Sequence, residues 1–172
     1  LKTMAATTGK YTISGHADDM TVSANIDVIA FNYLQNGSFE SGEQLGWTVS
    51  DHAGADQLYV EQKASDSLTG DWHMHFWSAK TNTVEFTMEQ EVTNLEAGTY
   101  KYSISIMGGD AGEHEIFAYV KINGETIAEK SMKISSYGQW DTAQISEIRV
   151  SENDRICCGI YVKCAGSGNG AW

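Results

Sequence analysis

Between Asp71 and Asp110 the sequence alternates apolar and polar residues in three successive runs, a period of two that a helix does not satisfy. In the first run Trp72, Met74 and Phe76 point one way and His73, His75 and Trp77 the other. The second sets Val84, Phe86, Met88, Gln90 and Val92 against Glu85, Thr87, Glu89 and Glu91. The third follows the Glu96-Ala97-Gly98-Thr99 turn. It sends Tyr100, Tyr102, Ile104 and Ile106 inward and Lys101, Ser103, Ser105 and Met107 outward. Three such runs predict a half-buried antiparallel sheet. On the face away from the core, two His and a Trp beside the short Ser103 and Ser105 make a ledge on which a sugar ring would fit.

The flanking sequence repeats the pattern. Gln57 to Gln62 reads as a strand between polar loops, and Ile116 to Ile122 puts Phe117, Tyr119 and Lys121 opposite its apolar face. Asn123-Gly124 is a hairpin turn that returns the chain through Thr126 to Met132. Strands follow near Ile145 to Val150 and from Arg155 to Cys164, and no segment carries a 3.6-residue period. Short strands separated by turn signals predict an all-β fold, a jelly-roll β-sandwich. Seventeen Gly and no Pro fit a sheet protein whose turns rely on Gly, Asn and Asp.

At 172 residues the chain is long enough for a genuine core. Its net charge of −12 argues against nucleic acid, anionic membranes and polyanionic substrates, and leaves a neutral partner unpenalised. No apolar run approaches the roughly 20 residues of a membrane span. The three cysteines, Cys157, Cys158 and Cys164, form no disulfide framework, and Cys158 shares parity with Ile156, Ile160 and Val162 as a small core residue. Glu85, Glu89 and Glu91 on one strand face read as a solvated sheet surface. No nucleophile-elbow or metal-ligand motif is present, so the chain is expected not to be an enzyme.

Residues 1–29 carry two alternating runs, Lys10 to Gly15 and Thr21 to Val28, joined through His16-Ala17-Asp18-Asp19: a hairpin or linker. The stretch Thr7 to Val28 resembles the last two strands of a bacterial immunoglobulin-like domain, which implies a longer protein upstream. Residues 30–172 form the second unit, the jelly roll, opened by Asn36-Gly37-Ser38-Phe39-Glu40 and Gly46-Trp47, with Phe39 and Trp47 as hydrophobic anchors.

That opening resembles the start of jelly-roll carbohydrate-binding modules. His75-Phe76-Trp77-Ser78, Glu85 to Gln90, Leu95 to Tyr100, Gly108-Gly109-Asp110, Tyr161-Val162-Lys163 and Gly170-Ala171-Trp172 are more specific. In this order they resemble the galactan-binding carbohydrate-binding module of family 61, found at the C-terminal end of bacterial endo-β-1,4-galactanases. In that family a Gly-x-x-Asp-Asp run beyond the Ala-Trp closes the last strand; the present sequence stops at Trp172.

The resemblance implies non-catalytic binding of β-1,4-galactan, the neutral side chain of plant pectin, by a module that tethers a covalently linked hydrolase to its substrate. It implies a secreted or bacterial cell-surface protein active in polysaccharide degradation. Trp77 and Trp140 are the expected platforms, with His75, Asp110 and Tyr137 as hydrogen-bonding neighbours and Trp172 near the site. A structural Ca²⁺ is also implied, with Glu40 as first candidate ligand. The alternatives are a module for another neutral polysaccharide such as xylan or arabinogalactan, and an adhesion or spacer domain without sugar specificity.

Overall fold

The computed structural model describes residues 9–28, 31–78, 83–109, 112–164 and 169–171. Two compact units divide the chain, residues 1–32 and 33–172. The first is a single antiparallel hairpin, β1 (Gly9–Ala17) and β2 (Met20–Val28), in register from Gly9↔Val28 to Ala17↔Met20. Its side chains are almost all exposed, and cross-strand polar pairs such as Ser14 with Ser23 (2.8 Å) line one face.

The second unit is a two-layer β-sandwich built from β3 (Thr48–Ala53), β4 (Gln57–Gln62), β5 (Trp72–Ser78), β6 (Val84–Val92), β7 (Gly98–Met107), β8 (His114–Ile122), β9 (Glu125–Met132), β10 (Trp140–Val150), β11 (Ile156–Cys164) and β12 (Asn169–Ala171). One layer is the five-stranded sheet β3-β6-β11-β8-β9; the other comprises β12-β5-β4 and the pair β10-β7. Every pairing is antiparallel. Among the described residues the one helical turn is a 3-10 turn, Ala64–Asp66.

The alternation read from sequence is the alternation of burial. Val84, Phe86, Met88, Gln90 and Val92 are all buried, and Phe86 meets Phe76 of the opposite layer edge-on at 5.0 Å between ring centroids. Met74 and Phe76 join that core, as do Phe39 and Trp47, whose rings lie 5.7 Å apart. Gln90 is the polar member, and it is satisfied: its amide accepts from the Gln35 N–H (2.6 Å) and donates to the Gln35 carbonyl (2.9 Å). Cys158 and Cys164 belong to the same core, and burial pushes each thiol up to about 12.

Two side chains depart from the simple alternation. Met107, expected outward, is 2% exposed, because the loop ahead of β10 folds over it and the Gly138 N–H lies 3.0 Å from its sulfur. Tyr119 is on the far side of its strand from the core, as expected, yet is 3% exposed. Its ring lies over Gly159, where a Cβ would come within 2.6 Å of it, so only glycine fits beneath. Around Tyr119 the outer face of the five-stranded sheet is laced with pairs. Glu89 accepts from Tyr119 and Lys121 (both 2.7 Å), Glu85 from Tyr161 (2.7 Å), and Glu91 pairs with Arg155. Each of the three glutamates is engaged by a hydrogen-bonding partner on the sheet surface.

Candidate functional site

The surface of interest is the outer face of β4 and β5. Their register sets Gln57 opposite Trp77, Tyr59 opposite His75 and Glu61 opposite His73. Because strand side chains alternate, these six share one face, and Met74 and Phe76 between them anchor the strand in the core. Trp77 is half-buried, with Gln57 of β4 on one side and Gly170 of β12 on the other. Tyr59 is 43% exposed, its ring 5.5 Å from that of His75.

The two histidines lie beneath this surface. His73 is 5% exposed and His75 6%. Desolvation holds both imidazoles below the ordinary histidine value, against the opposing pull of Glu61. His75, expected as a hydrogen-bonding neighbour of a ligand, faces Gln57 through Nε2 (3.2 Å) and Glu61 through Nδ1 (3.7 Å).

The loop after β4 closes one side of the site. Its 3-10 turn carries Asp66, a buried carboxylate that accepts from Ser65 (2.7 Å) and Tyr137 (3.0 Å) and pairs with Lys63 (2.7 Å). Burial favours the neutral acid, but the hydrogen bonds from Lys63, Ser65 and Tyr137 outweigh it and hold this carboxyl below the usual range. Tyr137 belongs to the loop ahead of β10 and is 55% exposed, with its hydroxyl tied to Asp66. Trp140 follows as the first residue of β10, half-buried and paired with Met107.

β5 and β7 border a cavity of about 230 Å³ whose lining includes Trp72, His73, Ser103, Ser105 and Trp140. Of the three side chains that the outward-facing pattern grouped with the two serines, His73 shares this lining, while His75 and Trp77 are outside it; Trp140 joins it from β10, and core side chains such as Phe76 and Phe86 make up most of the rest. Asp110 and Trp172 lie outside the described residues. Phe117 and Tyr161, stacked at 4.9 Å, stand on the five-stranded sheet, in the layer that does not carry Trp77.

Glu40, the expected calcium ligand, makes backbone hydrogen bonds. Its carboxylate accepts the backbone N–H groups of Asp71 (3.1 Å) and Trp72 (3.0 Å), and a Cβ at Gly70 would collide with it. Ca²⁺ takes six to eight oxygens; here backbone N–H donors converge on the carboxylate, and among the described residues Glu40 belongs to no cluster of three or more His, Cys, Asp or Glu side chains. Glu40 pins the start of β5 to the opening loop.

Sequence reading missed one constellation. Glu61, His73 and His75 bring their ligand-type atoms within 4.8 Å of one another. The His-x-His spacing in a strand was visible, but which acid faces it depends on the β4–β5 register.

No family model matches the chain, and no curated protein matches it. Among solved structures, that of TmCBM61 in complex with β-1,4-galactotriose superimposes with a TM-score of 0.66 at 27% identity, over 83% of this chain and 93% of its own. A carbohydrate-binding module of the β-sandwich superfamily, described for its promiscuous specificity, covers 96% of this chain and 72% of its own at TM-score 0.55 and 17% identity. The enzymatically active domain of bacteriophage CBA120 tailspike protein 4 gives 0.60 at 9% identity, over 81% of this chain and 20% of its own. The latter two show the fold alone. Sandwich topology, the ordered sequence blocks and the likeness to TmCBM61 together make this a family 61-like carbohydrate-binding module, non-catalytic in itself.

Proposed function

We propose that residues 33–172 bind β-1,4-galactan and tether a covalently linked glycoside hydrolase to plant pectic side chains, in a secreted or cell-surface protein. The observation that carries this reading is the 27% identity, over 83% of the chain, to a module bound to β-1,4-galactotriose. Three features support it. The net charge of −12 disfavours polyanions but not a neutral glycan. Trp77, Trp140, Tyr59 and Tyr137 keep accessible ring surface in the layer formed by β4, β5, β7 and β10 and its loops. The polar groups on the same strands, Gln57 and Ser105, supply short-range donors and acceptors of the kind that fix a sugar's orientation.

Galactose suits such a surface because its axial hydroxyl leaves an apolar patch of C–H groups on one ring face. Covering about 60 Å² of that patch contributes about 1.5 kcal/mol, and each net hydrogen bond about 1 kcal/mol. Two aromatic platforms and four or five hydrogen bonds total about 7 to 8 kcal/mol, and an association cost of at least about 4 kcal/mol leaves about 4 kcal/mol at most, millimolar binding. Affinity electrophoresis through gels containing galactan, xylan or arabinogalactan tests the reading. Retardation by galactan is expected; equal mobility with and without it removes the proposal, and retardation by xylan or arabinogalactan alone reassigns the glycan.

A further inference from the structure

Beneath that aromatic surface the hydrogen bonds fix where the imidazole protons sit. Ser67 Oγ lies 3.1 Å from the Lys63 carbonyl, which can only accept, so the single hydroxyl hydrogen is spent there. The same Oγ therefore accepts from His73 Nδ1, 3.0 Å away. His73 is then protonated on Nδ1, and in the neutral imidazole its Nε2 carries a bare lone pair. That nitrogen is fully buried, forms no hydrogen bond, and faces Glu61 Oε2 at 3.3 Å.

His75 follows the same logic. Its Nε2 faces the Gln57 amide oxygen at 3.2 Å, an acceptor, so Nε2 carries the hydrogen and Nδ1 turns its lone pair toward Glu61 Oε2 at 3.7 Å. In the neutral rings, two nitrogen lone pairs and a carboxylate oxygen thus converge on one small volume, a mutually repulsive set unless a proton or a metal cation sits among them. Each imidazole donates its other N–H to an oxygen, the outer-partner arrangement that orients metal-binding histidines.

We propose that Glu61, His73 and His75 bind a divalent transition metal of the zinc class, with a fourth position left to water or an exogenous oxygen. Sheet geometry builds the site: residues two apart on β5 supply both nitrogens, and the cross-strand partner of His73 on β4 supplies the oxygen. In a tetrahedral Zn²⁺ site with bonds of about 2.0–2.2 Å, neighbouring donors stand about 3.4 Å apart. The two distances to Glu61, 3.3 and 3.7 Å, bracket that separation. Two imidazoles and one carboxylate select Zn²⁺ and its neighbours over Ca²⁺ and Mg²⁺, which prefer all-oxygen shells. This inference does not rest on galactan binding.

The test is titration of the EDTA-stripped full chain with Zn²⁺ alone by calorimetry, with metal content counted after gel filtration and Co²⁺ as a spectroscopic probe. One Zn²⁺ per chain, a raised melting temperature and the visible bands of four-coordinate Co²⁺ are expected. Glu61→Gln and His73→Ala should each weaken binding by more than about a hundredfold, and Ser67→Ala, which removes an outer partner, by about tenfold. Should His73→Ala fail to fold, Glu61→Gln, at a partly exposed position, decides the question. No binding at high micromolar Zn²⁺, or affinity unchanged in Glu61→Gln, overturns the site.

Discussion

The Tyr137 hydroxyl donates to Asp66 Oδ2 at 3.0 Å, joining the loop ahead of β10 to the 3-10 turn after β4, 71 residues apart in sequence. These two loops flank the candidate glycan surface, and this bond holds an exposed aromatic ring by a buried carboxylate. Tyr137→Phe removes the tie while keeping the ring. It should leave the fold intact and weaken galactan retardation modestly; Tyr137→Ala, which also removes the ring, should weaken it further.

Asp66 also sets an acid limit. Its folded-state carboxyl is depressed below the unfolded value, so the stabilisation it contributes is present above about pH 4 and is lost as pH falls through the folded value. Urea midpoints of the wild type and Asp66→Asn should differ at pH 7 and converge as the pH is taken well below 4. A difference that persists undiminished at low pH would show that charge is not the source.

Trp77→Ala and Trp140→Ala each remove a platform. With about 1.5 kcal/mol of apolar contact per ring, each should weaken galactan binding about tenfold or more. Far-UV circular dichroism checks that the sandwich persists. If neither variant alters retardation, the glycan lies elsewhere.

Gln90 reproduces, with its side chain, the paired hydrogen bonds of a neighbouring strand to Gln35. Gln90→Ala removes both bonds to the backbone of Gln35 and a buried side chain from the core, and should cost about 1–3 kcal/mol in urea unfolding.

Tyr102 presents the opposite case. Its hydroxyl is buried without a hydrogen-bond partner, and burial drives its ionisation far upward. Tyr102→Phe should therefore leave stability unchanged or raise it slightly, since no bond is lost and an unsatisfied group is removed. A loss of more than about 1 kcal/mol would mean that the hydroxyl is paired in solution.

Much of the layer structure was legible because a strand's two faces are set by local alternation. Phe86, Met88, Ile116 and Val162 could be assigned to the core from their neighbours alone. Met107 could not: it sits at a polar parity and is buried only because a loop some 30 residues later folds over it. The family was legible through short ordered blocks rather than through composition.

The sequence by itself determined that this chain makes antiparallel strands with one apolar face each, that its surface is acidic, and that it carries His73, His75 and Trp77 together on a strand. Those are properties of neighbours within a few residues. Only the tertiary structure decided that Glu61 stands across from His73, that Ser67 and Gln57 face the imidazole nitrogens, and that Tyr137 is leashed to Asp66. Such pairings depend on register and loop packing between distant segments, where a shift of one residue would turn every side chain to the other face.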